Sequence, residues 1–194
     1  MNAIVITKQE RATLAGIGTA RNSAKNPEWT RRKSDVFSDA EVDVLGMYGE
    51  YAVAEYLGLR VDTTITTTGD DGSDLKWNGL SIAVKYNHRW NGFLMVEHRK
   101  GDNPALGIMG DLICDIIVLT HGRCKPPTQC KCREEGGIVV VVAGWLTRSE
   151  FIEKMNSRDL GLGGRYICTC DQLRPMHQLW SPWRLLKEDG VRRH

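Results

Sequence analysis

Residues 69–87 read GDDGSDLKWNGLSIAVKYN, and this stretch decides the fold. Two runs of β-prone residues flank Asn78-Gly79, the dipeptide favoured in two-residue type I′ hairpin loops. A loop of that length pairs Leu75 with Ile82 and fixes the register of both strands. The sequence therefore predicts a β-hairpin with a defined pairing.

The hairpin register sorts the side chains onto two faces, because successive side chains alternate across a strand. One face is apolar and carries Leu75, Ile82 and Val84. The other face holds polar side chains and one alanine: Asp74, Lys76, Ser81, Ala83 and Lys85. Asp74 pairs with position 83, and Lys85 is its diagonal neighbour. A carboxylate and an amine thus flank an alanine, whose side chain can do no chemistry.

The strongest predicted helix precedes the hairpin. Residues 38–41 (Ser-Asp-Ala-Glu) have the form of a capping box, and Gly58 occupies the place of a C-cap glycine. Apolar side chains recur between them at helical spacing. Glu50 falls at the edge of this buried stripe, where a carboxylate is costly to bury unless a partner satisfies it.

The other segments complete the prediction of the fold class. Strands are predicted from β-branched or apolar content at residues 60–67, 93–97, 113–120 and 137–143. Thr147 can cap a short helix over residues 148–155. This order of elements predicts an α/β protein with a mixed central β-sheet flanked by helices.

A family resemblance rests on these segments. A helix carrying GEYAVAEYLGL (residues 49–59), then a strand, then G-D-D-G-S-D-L-x(8)-V-K (residues 69–85) resembles the PD-(D/E)xK nuclease superfamily. The later segments IIVLT, VVVAGWLTRSEF and DQLRPM resemble small phage-type members. The likeness covers roughly residues 38–180 and implies a restriction-endonuclease-like core. Residues 1–37 are polar and weakly patterned, which predicts an arm with at most a short helix near residues 8–14, and residues 181–194 are predicted to form a tail.

The resemblance implies roles for four positions. Asp74 and the acid of the motif would bind one or two Mg²⁺ ions, or Mn²⁺, which polarise the phosphodiester and activate water. Lys85 would steady the nucleophile or the developing charge. Glu50 would complete or orient the metal shell. The implied function is Mg²⁺-dependent DNA endonuclease or exonuclease activity in phage DNA processing.

The chain departs from the family pattern at one position, because Ala83 stands where the pattern has an acid. Three explanations are open. Ala83 is a substitution that inactivates the enzyme, or the acid has moved to Glu97 or Asp71. Alternatively, the chain is a natural pseudonuclease that binds nucleic acid or a protein without cutting.

An irregular Cys-rich loop is predicted between two of the apolar strands. Four candidate ligands fall within it: His121, Cys124, Cys130 and Cys132. Zinc takes such Cys/His sets tetrahedrally and can order a polar loop. Cys168 and Cys170 are alternative ligands, one of which could replace His121. An iron–sulfur cluster and free thiols are the other interpretations.

A DNA-facing segment is predicted directly after the hairpin. Aromatic and basic side chains there could stack on bases and contact the phosphate backbone: Tyr86, Asn87, His88 and Arg89. DNA is therefore the expected partner, and a homodimer stays open.

Composition sets broad limits. The chain has 194 residues, enough for one domain with a real core, and a formal net charge of +2 that does not by itself indicate nucleic-acid binding. No apolar run approaches the roughly 18–20 residues of a membrane span. The N-terminus lacks the pattern of a signal peptide. We therefore expect a cytoplasmic protein, in the host cytoplasm if phage-encoded, with no membrane partner.

Overall fold

The computed structural model describes residues 2–25, 37–65, 73–89, 92–97, 101–107, 109–110, 112–122, 137–159 and 164–180. The protein is mixed α/β, as the sequence predicts. The helices are α1 (Lys8–Ala24), α2 (Asp39–Leu57) and α3 (Arg148–Lys154). The strands are β1 (Ala3–Thr7), β2 (Leu75–Trp77), β3 (Leu80–Asn87), β4 (Leu94–Glu97), β5 (Ile116–Gly122), β6 (Gly137–Thr147), β7 (Asn156–Asp159) and β8 (Gly164–Cys168). No helix within these ranges is long and apolar enough to cross a membrane.

The central sheet has five strands in the order β1-β6-β5-β3-β2. Strands β3 and β5 are parallel, with Ile82 beside Ile116, and the other neighbouring pairs are antiparallel. The prediction of a mixed central sheet is therefore confirmed. Both β5 and β6 are almost wholly buried, which explains their near-continuous apolar sequences.

Helices α1 and α2 cover one face of the central sheet. Helix α2 begins at the predicted capping box of Ser38 and Glu41 and ends at Gly58, which has φ +67°. The apolar side chains packed between these helices and the sheet form the helix-side core, which includes Leu14, Ala52, Val53, Ile82, Val84, Ile116, Val118, Val140 and Val142.

A second sheet and α3 cover the opposite face. This sheet has the order β4-β8-β7 and is antiparallel throughout. Between the two sheets lies the sheet-side core, which includes Ala83, Leu94, Val96, Cys114, Ile117, Leu119, Leu146, Phe151, Tyr166 and Cys168. The sequence predicts β4 and the Thr147-capped α3, but not the pairing of β4 with β8.

The N-terminal region differs from the arm that the sequence predicts over residues 1–37. Strand β1 pairs with β6, so that Val5 lies beside Val139 and the central sheet gains an edge. Helix α1 begins at a capping box in which Thr7 and Glu10 exchange hydrogen bonds. Burial of Ile6 and Leu14 joins both elements to the helix-side core, so residues 3–24 belong to the domain.

The strand predicted at residues 60–67 is not formed over residues 60–65, and the remaining two residues lie outside the described ranges. Arg21 uses the backbone of this segment instead. Its guanidinium donates to the carbonyl oxygens of Asp62 (2.9 Å) and Thr64 (3.2 Å). The Arg21 side chain thereby donates hydrogen bonds to carbonyl groups that would otherwise accept them from the backbone of a neighbouring strand.

Candidate active site on the β2–β3 hairpin

The hairpin forms with the predicted turn and register. Asn78 has φ +50° and Gly79 φ +80°, and positive φ at both central residues is what a type I′ turn requires. Leu75 pairs with Ile82 and Trp77 with Leu80. The two faces of β3 therefore carry the side chains that the sequence assigns to them.

Asp74 lies directly before β2 and is fixed to β3 by two hydrogen bonds. Its N–H donates to the carbonyl oxygen of Ile82 at 2.8 Å. Its Oδ2 accepts from the N–H of Val84 at 2.6 Å. The carboxylate thus extends the ladder beyond the end of the strand, and Asp74 is held beside position 83.

Ala83 is buried, with 2% of its surface exposed, and its methyl group belongs to the sheet-side core. Lys85, two residues further along β3, is half-buried. Side chains two apart along a strand point to the same face. The face predicted to carry the chemistry is therefore covered by the second sheet at Ala83.

Cys114 is a neighbour of this position that sequence reasoning did not assign to the site. The thiol is buried just before β5. Burial raises its pKa, the Ala83 backbone and the Lys85 charge lower it, and the Asp74 charge raises it. Cys114 and Ala83 lie together in the sheet-side core. The parallel register of β3 and β5 brings Cys114 there, and no local sequence signal reports that register.

Glu50 is buried, with 8% of its surface exposed, but its carboxylate is paired with Arg21. The distance between Arg21 Nη1 and Glu50 Oε2 is 3.0 Å. At the adjacent Gly49, an added Cβ would lie 3.3 Å from Cγ1 of Val84, so α2 packs closely on that face of β3. The helix that carries Glu50 therefore lies on the face opposite Ala83.

These donors do not fit a Mg²⁺ site. Magnesium needs several oxygen ligands in near-octahedral geometry, and Ala83 offers none. Nowhere in the described ranges do three His, Cys, Asp or Glu side chains form a group able to hold a metal ion. Of the two alternative acids, Glu97 pairs with Arg165 at 3.4 Å in the second sheet. Asp71 lies outside the described residues.

The predicted DNA-facing residues have different surroundings. Asn87 is buried, its amide donating to the Phe93 carbonyl and its Oδ1 accepting from the Arg89 N–H, both at 3.0 Å. His88 packs edge-on against Phe37, with ring centroids 5.1 Å apart, and burial lowers its pKa. Tyr86 is half-buried at the helix-side core. Arg89 alone of the four predicted residues is exposed.

The structure brings together two of the six predicted soft-metal ligands. His121 Nε2 lies 3.4 Å from Cys170 Sγ. The two side chains are therefore neighbours, whereas the sequence offers Cys170 as an alternative to His121. Cys168 lies instead in the sheet-side core, where its thiol faces the Phe151 carbonyl at 3.9 Å. The other three predicted ligands, Cys124, Cys130 and Cys132, lie outside the described residues.

Comparisons with known proteins give no relative for this chain. No family model matches it, and neither a curated protein nor a solved structure is significantly similar to it.

Proposed function

We propose that this chain has the scaffold of a metal-dependent DNA nuclease of the PD-(D/E)xK type, and that Ala83 leaves it unable to cut. The observation that carries the proposal is the placement of Asp74, Ala83 and Lys85. Asp74 is hydrogen-bonded to Val84 beside Ala83, and Lys85 follows on the same face of β3.

The chemistry follows from what these side chains can and cannot do. The Lys85 ammonium can stabilise negative charge on a phosphate oxygen, since a cation in a half-buried site interacts more strongly than one in water. Asp74 supplies one carboxylate with a defined position. A second carboxylate at position 83 would lie on the strand next to Asp74 and add the hard oxygen ligands that the site lacks.

The test is to restore the acid. Ala83→Asp and Ala83→Glu are incubated with plasmid and linear DNA in the presence of Mg²⁺ or Mn²⁺, beside the unchanged chain. The matched control is Ala83→Asn, which has nearly the shape of aspartate without its charge. We expect cleavage by an acidic variant only, and loss of that cleavage when Lys85→Met is added.

The contradicting result is equally defined. Position 83 is buried, so circular dichroism and a thermal melt must show that each acidic variant is folded. If the acidic variants are folded but cleave neither plasmid nor linear DNA with Mg²⁺ or Mn²⁺, the hypothesis that Ala83 alone inactivates a nuclease is excluded.

A second candidate is a natural pseudonuclease that binds nucleic acid or a protein without hydrolysis. It is favoured by the ion pair between Glu50 and Arg21, which gives Glu50 a partner other than a metal. Fluorescence anisotropy with labelled duplex and single-stranded DNA tests the nucleic-acid form. Measurable binding together with inactive acidic variants would select this function over the first.

A further inference from the structure

We propose that β1 is a dimerisation strand, which pairs antiparallel with β1 of a second copy of this chain across a two-fold axis at Ile4. Strand β1 forms one edge of the five-stranded central sheet. The pairing would join the two central sheets into one, with backbone hydrogen bonds across the contact, as in other cases of β-strand addition. The proposal does not depend on nuclease activity or on DNA binding.

The pairing of β1 with β6 directs half of the β1 backbone groups away from β6. In an antiparallel ladder, residues that bond to the neighbouring strand alternate with residues whose N–H and C=O groups point to the other side. The Val142 N–H donates to the Asn2 carbonyl at 2.9 Å, which places the even-numbered residues of β1 in the first class. The N–H and C=O groups of Ala3 and Val5 therefore point to the open edge.

The open edge is accessible at these two residues. Thr7, at the end of the strand, has its outward N–H already engaged, because it donates to Oε2 of Glu10 at 2.7 Å. Ala3 and Val5 are both exposed, Val5 by 62%. Within the described ranges no strand lies beyond β1. A row of such backbone groups is a template for pairing with another strand.

Strand β1 lacks the features that usually keep sheet edges apart, which are charged side chains, proline and very short length. The other edge strands that the structure describes each carry charge: Lys76 in β2, Glu97 in β4, and Arg158 and Asp159 in β7. The sequence of β1 is AIVIT, without charge or proline, and its five residues make it the longest of these edge strands. The edge at β1 is thus the one suited to association.

An apolar strip runs alongside this edge. Val5 lies beside Val139 of β6, and the two side chains are 62% and 40% exposed. They lie on the face of the sheet opposite to the buried Ile6, because neighbouring side chains of a strand alternate between faces. A strand added at the edge would cover part of this strip, so apolar burial would accompany the backbone pairing.

The edge is complementary to a second copy of itself. An antiparallel pair centred on Ile4 places Ala3 of each copy opposite Val5 of the other. The outward N–H and C=O groups of these residues then bond reciprocally. On the exposed face, a small side chain meets a larger one across the contact. The same short segment therefore supplies both halves of the interface.

The charges near β1 also allow two copies to approach. Helix α1 follows β1 directly, and its exposed positions beyond Lys8 are uncharged: Gln9, Ala12, Thr13, Gly16, Thr19 and Ser23. The Lys8 side chains of the two copies would lie at opposite ends of the antiparallel pair. Like charges brought together at an interface oppose association, and here they are kept apart. A second copy of the chain therefore fits this edge.

The test measures the oligomeric state of the full chain. Any purification tag is placed at the C-terminus, so that it does not obstruct β1, and reducing conditions exclude disulfide-linked pairs. Sedimentation velocity over a range of concentrations gives the dissociation constant of the dimer. Two edge variants are compared with the unchanged chain: Ala3→Pro and Val5→Lys. The control is Leu106→Lys, which adds the same charge at an apolar position that is 71% exposed, between β4 and β5.

We expect the unchanged chain and Leu106→Lys to dimerise equally. Ala3→Pro removes only an N–H that points away from β6, a position where an edge strand tolerates proline. By symmetry it removes the same hydrogen bond from both halves of the contact, and dimerisation should weaken roughly 10-fold or more. Val5→Lys should weaken it also, since lysine on an edge strand opposes pairing. Circular dichroism and thermal melts establish that each variant is folded.

Amide hydrogen exchange gives a second measurement within β1 itself. The amides of Ile4 and Ile6 bond to β6 and should be protected at every protein concentration. The Val5 amide points to the open edge and should become protected only as the dimer forms. In Ala3→Pro, the Val5 amide should exchange rapidly at concentrations that protect it in the unchanged chain.

Three results would overturn the proposal. The first is an unchanged chain that stays monomeric at the highest soluble concentration, which would exclude a second copy as the occupant of this edge. The second is a dimer that folded Ala3→Pro and Val5→Lys variants form as tightly as the unchanged chain, which would place the interface elsewhere. The third is a Val5 amide whose exchange rate does not change with protein concentration while the chain dimerises.

Discussion

Arg21 of α1 holds Glu50 of α2 in a partly buried ion pair, with Nη1 3.0 Å from Oε2. The same guanidinium donates to the carbonyl oxygens of Asp62 and Thr64. One side chain therefore connects both helices to the segment that precedes the hairpin. This arrangement gives Glu50 a structural role within the described residues.

Removing one member of this pair should destabilise the fold. Glu50→Gln keeps the side-chain shape but leaves the Arg21 charge uncompensated, and we expect a loss of roughly 2–4 kcal/mol in the free energy of unfolding. The double variant Arg21→Met with Glu50→Leu should recover much of that loss. Urea unfolding at neutral pH measures both. A Glu50→Gln variant as stable as the unchanged chain would show that the pair contributes nothing.

Two glycines of α1 form a matched pair for testing how closely the helices approach. A Cβ at Gly18 would lie 2.8 Å from Cα of Val44 in α2, whereas a Cβ at Gly16 would meet nothing within 4 Å. Gly18→Ala should therefore destabilise the protein by about 1–3 kcal/mol, because backbone atoms must move. Gly16→Ala should stabilise it by about 0.5–1 kcal/mol through helix propensity. Thermal melts of the two variants should shift in opposite directions.

Variants of Asn87 and Arg89 should distinguish an effect on protein stability from an effect on DNA binding. Asn87→Ala removes the bonds to the Phe93 carbonyl and the Arg89 N–H, and should cost roughly 2–3 kcal/mol of stability. Arg89→Gln, at an exposed position, should leave stability within about 0.5 kcal/mol. If the segment contacts DNA, Arg89→Gln should weaken binding and reduce its salt dependence. An unchanged affinity in Arg89→Gln would remove this residue from the DNA surface.

Glu150 should make stability depend on pH in the acidic range. Burial is the largest single influence and raises its pKa, but the Thr147 N–H, Arg174 and Lys154 together outweigh it, so the net pKa is lowered. A carboxyl group with a lowered folded-state pKa stabilises the protein above its unfolded pKa of about 4.3, and this is lost as pH falls through the folded pKa. We expect Glu150→Gln to cost about 1–2 kcal/mol at pH 7.

The pH profile of this difference is the check. The gap between the unchanged chain and Glu150→Gln should shrink as pH drops below about 4.3 and close once the carboxyl is protonated in both states. Glu153→Gln, at an exposed position on the same helix, is the control and should alter stability by less than about 0.5 kcal/mol. A gap that stays constant down to pH 2 would contradict the assigned role.

The elements that the sequence predicts well are those with local signals. Asn78-Gly79 fixes the hairpin register, and capping boxes mark the starts of α2 and α3. The same signal at Thr7 and Glu10 marks the start of α1, in a stretch whose polar composition is typical of an arm. Local chemistry therefore predicts most of the central sheet together with α2 and α3.

Features that depend on distant partners are not predictable in this way. Strand β4 pairs with β8, so Leu94 lies beside Cys168, far along the chain. Coverage of Ala83 follows from that second sheet. Likewise, the helical pattern places Glu50 at the edge of a buried stripe but says nothing of Arg21. The hairpin half of the candidate site is thus predictable, and its surroundings are not.

Strand β3 contributes alternate side chains to the two cores. Ile82 and Val84 belong to the helix-side core, and Ala83 belongs to the sheet-side core. Inserting one residue after Gly79 would exchange these assignments and direct Lys85 into the helix-side core, because a shift of one position reverses every side chain. A change in the length of this strand should therefore be tolerated far less well than a single substitution within it. Among descendants of this chain, insertions and deletions should accumulate elsewhere, while the interval from the turn to Asn87 stays constant.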